Sequence, residues 1–153
     1  MTVSSVRELL AADRWAIAQG DSPAGPSVIR YRQPILQPAQ TAGYHRCLRI
    51  VWAYADEGSG ALPDTTTGET LETFENRLVA ALEKDAVAVL TAVLTFDGAR
   101  QWVFYTPDAS ACGARINAMP QEQDPYPIEL DVFTDTDWQY LREQILASVA
   151  RDA

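Results

Sequence analysis

The chain has 153 residues, of which 47% are hydrophobic and 22% charged, as expected for one soluble domain with a substantial core. Its formal net charge is −9, and the charge is uneven: residues 1–55 sum to +3 and residues 56–153 to −12. An acidic chain repels phosphates, so we expect no nucleic acid as a partner. The first residues lack the apolar stretch of a signal peptide, and no apolar run could span a bilayer. We therefore expect a cytoplasmic protein with no membrane partner, forming a single domain over residues 1–153.

The N-terminal third predicts one short helix and three strands. A helix over residues 3–13, or else a frayed tail, would be capped by Ser4 or Ser5. Strands over residues 14–19 and 27–33 flank a segment rich in Gly and Pro. A third strand over residues 45–55 alternates strictly, which places on one face Leu48, Ile50, Trp52 and Tyr54.

The middle of the chain predicts a helix followed by a hairpin. Apolar residues recur at spacings of three and four over residues 69–84, on the stripe Leu71, Phe74, Leu78 and Leu82. The run from Thr66 to Glu69 matches a capping box for this helix. Residues 86–105 read as two strands joined by a tight turn at Asp97-Gly98. Their alternation puts Trp102 and Phe104 on one face and Tyr105 on the other.

The C-terminal third predicts a short helix over residues 109–118, a strand over residues 126–133 and a helix over residues 135–150. Either Thr134 or Asp135 would cap the last helix. Its apolar face would consist of Trp138, Leu141, Ile145, Leu146 and Val149.

From His45 onward, the order strand, helix, strand, strand, helix, strand predicts an α+β fold, a ferredoxin-like βαββαβ sandwich. An N-terminal β-hairpin and a C-terminal helix would be additions to this unit. Right-handed crossovers would place the strand over residues 45–55 between the hairpin and the strand over residues 126–133. The helices would then cover one sheet face and bury Leu48, Ile50, Trp52, Ile128 and Leu130.

The sequence favours neither catalysis nor metal binding. The single histidine, His45, lies near Cys47, but a thiol in the middle of a strand has no helix N-terminus to lower its pKa. One His and two distant cysteines, Cys47 and Cys112, cannot build a usual zinc site, and we expect both thiols to be reduced. We predict no catalytic residue, no metal and no cofactor. Glu129 or Asp131 is expected to form a cross-strand ion pair with Arg49.

A cluster of basic and aromatic residues offers the one candidate binding site. Arg30, Arg32, Arg49 and Tyr105 lie on predicted strands and could together hold an anionic ligand. Charged side chains that protect sheet edges are the simpler explanation for these arginines. The four tryptophans are most simply core residues, because each lies in a strand or on an apolar helix face.

With these segments in place, the chain resembles the bacterial family catalogued as domain of unknown function 695. The resemblance is carried by an ordered set of segments: Trp15, Gly25-Pro-Ser-Val-Ile-Arg30, Tyr44, Leu48-Arg-Ile-Val-Trp-Ala-Tyr54, Leu62-Pro-Asp64, Leu71-Glu-Thr-Phe-Glu-Asn-Arg-Leu78, Leu90-Thr-Ala-Val-Leu-Thr95, Gly98, Trp102-Val-Phe-Tyr105, Tyr126-Pro-Ile128 and Asp137-Trp-Gln-Tyr140. That family looks related in fold to the regulator of ribonuclease activity B, a small acidic enzyme inhibitor. The resemblance thus implies a protein-binding regulator and assigns no catalytic residue.

Three hypotheses for the function follow. The first is a non-catalytic protein-binding or regulatory domain, whose acidic surface docks on an unknown protein partner such as an enzyme. The second is a small anionic-ligand binder or an enzyme that uses the Arg/Tyr cluster. The third is an accessory domain that is either a monomer or a homodimer formed through a sheet edge.

Overall fold

The computed structural model describes residues 3–22, 25–56, 58–120, 122 and 124–146. It is a mixed α+β structure, and within those ranges every helix is too short or too polar to cross a membrane. The elements follow in the order α1 (Val6–Ala12), β1 (Arg14–Ser22), β2 (Gly25–Gln33), β3 (Arg46–Ala53), α2 (Thr65–Leu82), β4 (Val89–Phe96), β5 (Ala99–Thr106), α3 (Ala109–Ala118), β6 (Ile128–Thr134) and a π-helical segment (Tyr140–Leu146). Short 3₁₀ turns occupy Pro38–Gln40 and Lys84–Ala86.

The six strands form one antiparallel sheet in the order β1-β2-β4-β5-β3-β6. The predicted position of β3 between the hairpin and β6 is confirmed, since Ile50 lies opposite Trp102 on one side and Leu130 on the other. The N-terminal hairpin extends the sheet at its other end, where β2 pairs with β4. Two strands that sequence reasoning treated as an addition therefore widen the sheet.

One face of the sheet, here called the α2 face, is covered by α2 and α3. The predicted stripe of α2 is confirmed, because all four of its residues are buried. They pack on inward-facing strand residues that include Ile50, Trp102 and Phe104. The strict alternation of β3 therefore has the predicted consequence of sending Leu48 and Ile50 into this core.

The opposite face, here called the α1 face, is also covered. Val6 and Leu9 of α1 pack there, together with Leu36 from the loop that precedes β3. The C-terminal part of the chain adds Trp138, whose ring stacks on Tyr105 with centroids 4.4 Å apart. The sheet is thus buried from both sides at its centre. The prediction that Tyr105 and Trp102 lie on different faces of the sheet is confirmed.

The prediction that Leu130 belongs to the core is wrong. Its side chain is 51% exposed, and that of Val132 is 43% exposed. Both belong to β6, which is an edge strand paired only with β3 among the described strands. The residues that α2 and α3 bury come mainly from β3, β4 and β5, so the apolar face of β6 is left open to solvent.

Two helix starts differ from prediction. The α2 helix begins at Thr65, and the Asp64 carboxylate accepts the Thr67 N–H at 2.7 Å, so the predicted capping box lies inside the helix and does not cap it. The last helix is a π-helical segment that starts at Tyr140. Asp135, one of the two predicted caps, accepts the N–H groups of Gln139 and Tyr140 at 2.8 and 2.9 Å. Residues 147–150, including Val149, lie outside the described residues.

The predicted turn between β4 and β5 is confirmed, and the neighbouring loop is anchored to it. Asp97 and Gly98 both have positive φ values, of 47° and 79°. The Asp97 carboxylate accepts the N–H groups of Gly58 and Gly60 at 2.8–3.1 Å. A Cβ at position 98 would lie 2.9 Å from the Ala55 carbonyl oxygen, so only glycine fits both the conformation and the space.

Replacing Gly98 with Ala is therefore expected to lower the free energy of unfolding by about 1–3 kcal/mol, through backbone strain and the clash with Ala55. Gly113→Ala is the matched control, since Gly113 lies inside α3, where an added Cβ would have nothing within 4 Å. That change is expected to be neutral or to stabilise by up to about 1 kcal/mol. Urea denaturation of both variants measures the difference; equal effects would contradict the proposed anchoring.

Candidate functional site

The four residues of the predicted binding cluster do not converge on one pocket. Arg30 and Arg32 alternate on β2 and both lie over the Trp15 ring, with guanidinium carbons 5.2 and 4.9 Å from its centroid. They belong to the α2 face. Arg49 and Tyr105 lie on the α1 face, on the other side of the sheet.

Both terminal nitrogens of Arg32 are engaged by the protein itself. It is 5% exposed, and its Nη1 donates to Glu83 at 2.7 Å and to the Leu90 carbonyl at 3.0 Å. Its Nη2 donates to Asp13 at 2.8 Å. Its Nε is buried with no hydrogen-bond partner among the described residues. This arginine joins elements of the fold, and its burial keeps the remaining Nε donor away from a ligand in solvent.

Arg49 forms the ion pair predicted for it. Its guanidinium donates to Asp131 on the neighbouring strand and lies 5.3 and 5.1 Å from the ring centroids of Phe133 and Tyr140. A partly exposed cross-strand pair stacked on aromatic rings is a common way to finish a sheet face. The geometry at Arg49 has this ordinary structural explanation.

The Tyr105 hydroxyl and the two thiols are buried. Tyr105 donates its hydroxyl to the Asp135 carboxylate at 2.7 Å, and burial raises its pKa. Burial also raises the pKa of Cys47 to about 12 and raises that of Cys112. Both thiols are free, as predicted. In the part of the chain that the structure describes, no cluster of three or more His, Cys, Asp or Glu side chains could hold a metal ion.

Charged side chains do meet in a cleft of about 530 Å³ on the α2 face, here called the charged cleft. It lies between the first turns of α2 and strands β1, β2, β4 and β5. Its polar lining includes Arg30, Glu69, Glu72, Glu75, Thr95 and Arg100, and its apolar lining includes Ile17, Val28 and Val93. Of the predicted cluster, Arg30 alone lines this cleft.

Two hydrogen-bonded groups form the inner wall of the charged cleft. Glu75 accepts from Arg30 Nη2 at 2.5 Å and from the buried indole nitrogen of Trp102 at 2.9 Å. These two donors hold the carboxylate against the sheet, where its side chain is only 12% exposed. Glu75 is therefore a fixed acceptor that orients Arg30.

Arg100 is a half-buried charge of the charged cleft that forms no ion pair with a described residue. Its Nε donates to Thr95 Oγ1 at 2.8 Å, and its two terminal nitrogens form no hydrogen bond with any described residue. Burial lowers the pKa of Arg100. The carboxylates of Glu75 and Glu72 oppose this shift, and the nearby charge of Arg30 adds to it. A partly desolvated guanidinium next to a second one is a setting in which an anion binds favourably.

Sequence reasoning missed Glu75 and Arg100, although a signal existed for each. Glu75 follows Leu71 by four residues and precedes Leu78 by three, so a carboxylate lies on the apolar side of α2, next to Phe74 of the stripe. Arg100 precedes Trp102 by two residues and shares its inward face. A charged residue at a core-facing position is the informative pattern in both cases.

The comparisons with known proteins identify one family. The model of a family of unknown function, DUF695, matches residues 13–145. The chain belongs to this family. No curated protein and no solved structure matches the chain. The DUF695 match covers all six strands and every residue of the charged cleft, so the site lies within the family region.

The burial of both thiols predicts that neither is reactive in the folded protein. At pH about 8 we expect Ellman's reagent to label Cys47 and Cys112 only after urea is added, because burial holds the pKa of each thiol above its ordinary value of about 8.5. For the same reason, above pH about 8.5 the thiols stay protonated in the folded state and lose their protons in the unfolded chain. Stability from Cys47 is therefore lost as the pH rises from about 8.5 towards 12. Rapid labelling of one thiol in the folded protein would contradict this description.

Proposed function

We propose that this protein acts by binding rather than by catalysis, and that the charged cleft binds an anionic group of a small ligand. Arg100 carries the proposal. Its terminal N–H groups face the cleft without hydrogen-bonding any described residue. A bound carboxylate or similar oxyanion would supply those hydrogen bonds and reduce the repulsion between Arg100 and Arg30.

The charges of the lining disfavour a ligand with several negative charges. Two arginines and three glutamates line the charged cleft, so its formal charge is −1. Glu75 is neutralised by Arg30, whereas Glu69 and Glu72 lie at the exposed start of α2. A polyphosphate would meet repulsion from these two carboxylates, since like charges a few ångströms apart disfavour binding. A small monocarboxylate fits the arrangement better.

The test is a titration with acetate, glutamate, succinate and inorganic phosphate, followed through the indole N–H resonance of Trp102. We expect acetate, the monocarboxylate among these probes, to give a saturable shift with a dissociation constant of about 1 mM or below. Arg100→Gln is expected to weaken binding about ten-fold or more, since it removes a charge-assisted hydrogen bond. Arg14→Gln, on the other face of β1, is the charge-matched control and should leave binding unchanged. Binding that is equal in wild type and Arg100→Gln, or a shift with none of the four probes, would overturn the proposal.

The fold proposal is that residues from β3 onward form a ferredoxin-like unit. The strand order β4-β5-β3-β6 and the antiparallel pairing of all four strands support it, together with α2 and α3 packed on the same face. The relation to the regulator of ribonuclease activity B remains a prediction from the resemblance. A fold-level relation of this kind would not by itself carry function.

A second candidate function is regulation of a basic protein partner, such as an enzyme. The edge strand β6 favours it, because Glu129 and Asp131 are exposed side by side on one face and Leu130 and Val132 on the other. An exposed edge strand can add a strand from another chain, and carboxylates select for a basic one. The same edge would also serve the homodimer hypothesis.

Immobilised wild-type protein and Glu129→Lys protein distinguish these possibilities when both are exposed to the same lysate of the source cells. Regulation through β6 predicts a protein that is held at low salt by the wild type, released at about 0.5 M salt and absent from the variant. A partner retained equally by both proteins would argue against a role for β6. Sedimentation velocity of the same two proteins tests the homodimer, which Glu129→Lys should weaken or abolish.

A further inference from the structure

A second cavity lies on the outer side of the helical layer, away from the charged cleft. It is a groove of about 580 Å³ between α2 and α3, here called the α2–α3 groove. Ala80, Ala81 and Ala118 line it together with Met119 and Pro120. Three alanines where two helices face each other leave space that longer side chains would fill. The lining is therefore apolar and shallow.

Basic residues are concentrated around this apolar lining. Arg77, Lys84 and Arg115 line the α2–α3 groove, and Asp85 is the one acidic residue among its described lining. Residues 56–153 contain only six basic residues against 18 acidic ones, so half of those basic residues surround one groove. A formal charge of +2 on the lining stands out against the −12 of this part of the chain.

The three cations have different roles. Arg115 donates to the Ala81 and Lys84 carbonyls at 3.2 and 2.9 Å and pairs with Asp85 at 3.2 Å, so it holds the end of α2 against α3. Arg77 donates to Glu122 and to the Tyr126 hydroxyl, both at 2.7 Å. The exposed Lys84 ammonium makes no hydrogen bond or ion pair within the described ranges, which leaves it available to a partner.

We propose that the α2–α3 groove docks an acidic amphipathic helix of a partner protein. Charge complementarity selects the acidic partner, because the groove has a cationic lining in the anionic part of the chain, residues 56–153. Along α2 the groove runs from Asn76 to Ala81, about 8 Å at 1.5 Å per residue, so it would contact about one and a half turns of a docked helix. The apolar side of a docked helix would cover Ala80, Ala81 and Ala118, and its carboxylates would meet Lys84 and the two arginines.

The probe is a fluorescein-labelled peptide of about 18 residues, with Leu at i, i+3, i+4 and i+7 and Glu at the exposed positions. A peptide of the same pattern with Lys in place of Glu is the control ligand. Fluorescence anisotropy is expected to show binding of the Glu peptide and at least about ten-fold weaker binding of the Lys peptide. Amide resonances of Ala80 and Ala118 should shift when the Glu peptide is added.

Two variants locate the binding surface. Lys84→Glu reverses the available cation, and Ala80→Glu places a carboxylate on the exposed groove wall. Each is expected to weaken Glu-peptide binding about ten-fold or more. Arg14→Glu makes the same charge change as Lys84→Glu on the other face of the sheet and should leave binding unchanged. Circular dichroism of all three variants confirms that they remain folded.

Several results would overturn the proposal. These are no binding of the Glu peptide, equal binding of the Lys peptide, or binding that Lys84→Glu and Ala80→Glu leave intact. Titration with dodecanoate tests a small amphiphile: if it shifts the groove amides and the peptide does not, the groove is a lipid-like site instead. Arg100→Gln should bind the peptide normally, so this proposal and the proposed ligand of the charged cleft stand or fall separately.

Discussion

The ion pairs of the buried Arg32 join the N-terminal hairpin to α2 and β4. One guanidinium on β2 reaches Glu83 after α2, the Leu90 carbonyl on β4 and Asp13 between α1 and β1. Glu83 also accepts the Leu90 N–H at 2.9 Å, so the carboxylate is itself fixed. A buried charge that loses its partner costs about 3–5 kcal/mol, which is a large fraction of the stability of a domain. The N-terminal hairpin is thus held by charge as well as by its strand pairing, and it forms one wall of the charged cleft.

The positions of the open surfaces follow from a difference in width between the two layers. Six strands at about 4.8 Å spacing make a sheet about 24 Å wide, measured between its outer strands. Two helices packed about 10 Å apart cover less than this. At one end, the uncovered strip lies over β1 and β2 and becomes the charged cleft. At the other end it leaves Leu130 and Val132 of β6 in solvent. The α1 face differs, because α1, Leu36 and the C-terminal segment cover its centre.

Local periodicity predicted most of the elements, and long-range packing decided what it could not. The stripe of α2, the Asp97-Gly98 turn and the two faces of β5 followed from spacings of two to four residues. The prediction that Leu130 is buried was wrong because its burial depends on how far the helices extend over an edge strand. The four residues of the predicted binding cluster do not line one pocket because Arg30 and Arg49 lie on opposite faces of the sheet. Only the strand register reveals this. Arg100 and Glu75 are 25 residues apart in sequence and meet through the packing of α2 on β5.

The elements nearest the two chain ends, α1 and the π-helical segment, pack on the same face of the sheet. The charged cleft and the α2–α3 groove are both on the other side. This arrangement has a practical result for immobilisation. If the protein is attached to a solid support through its N-terminal end, the sheet lies between the support and both candidate sites. A linker attached before α1 therefore suits immobilised binding measurements, because the thickness of the sheet would separate it from either ligand.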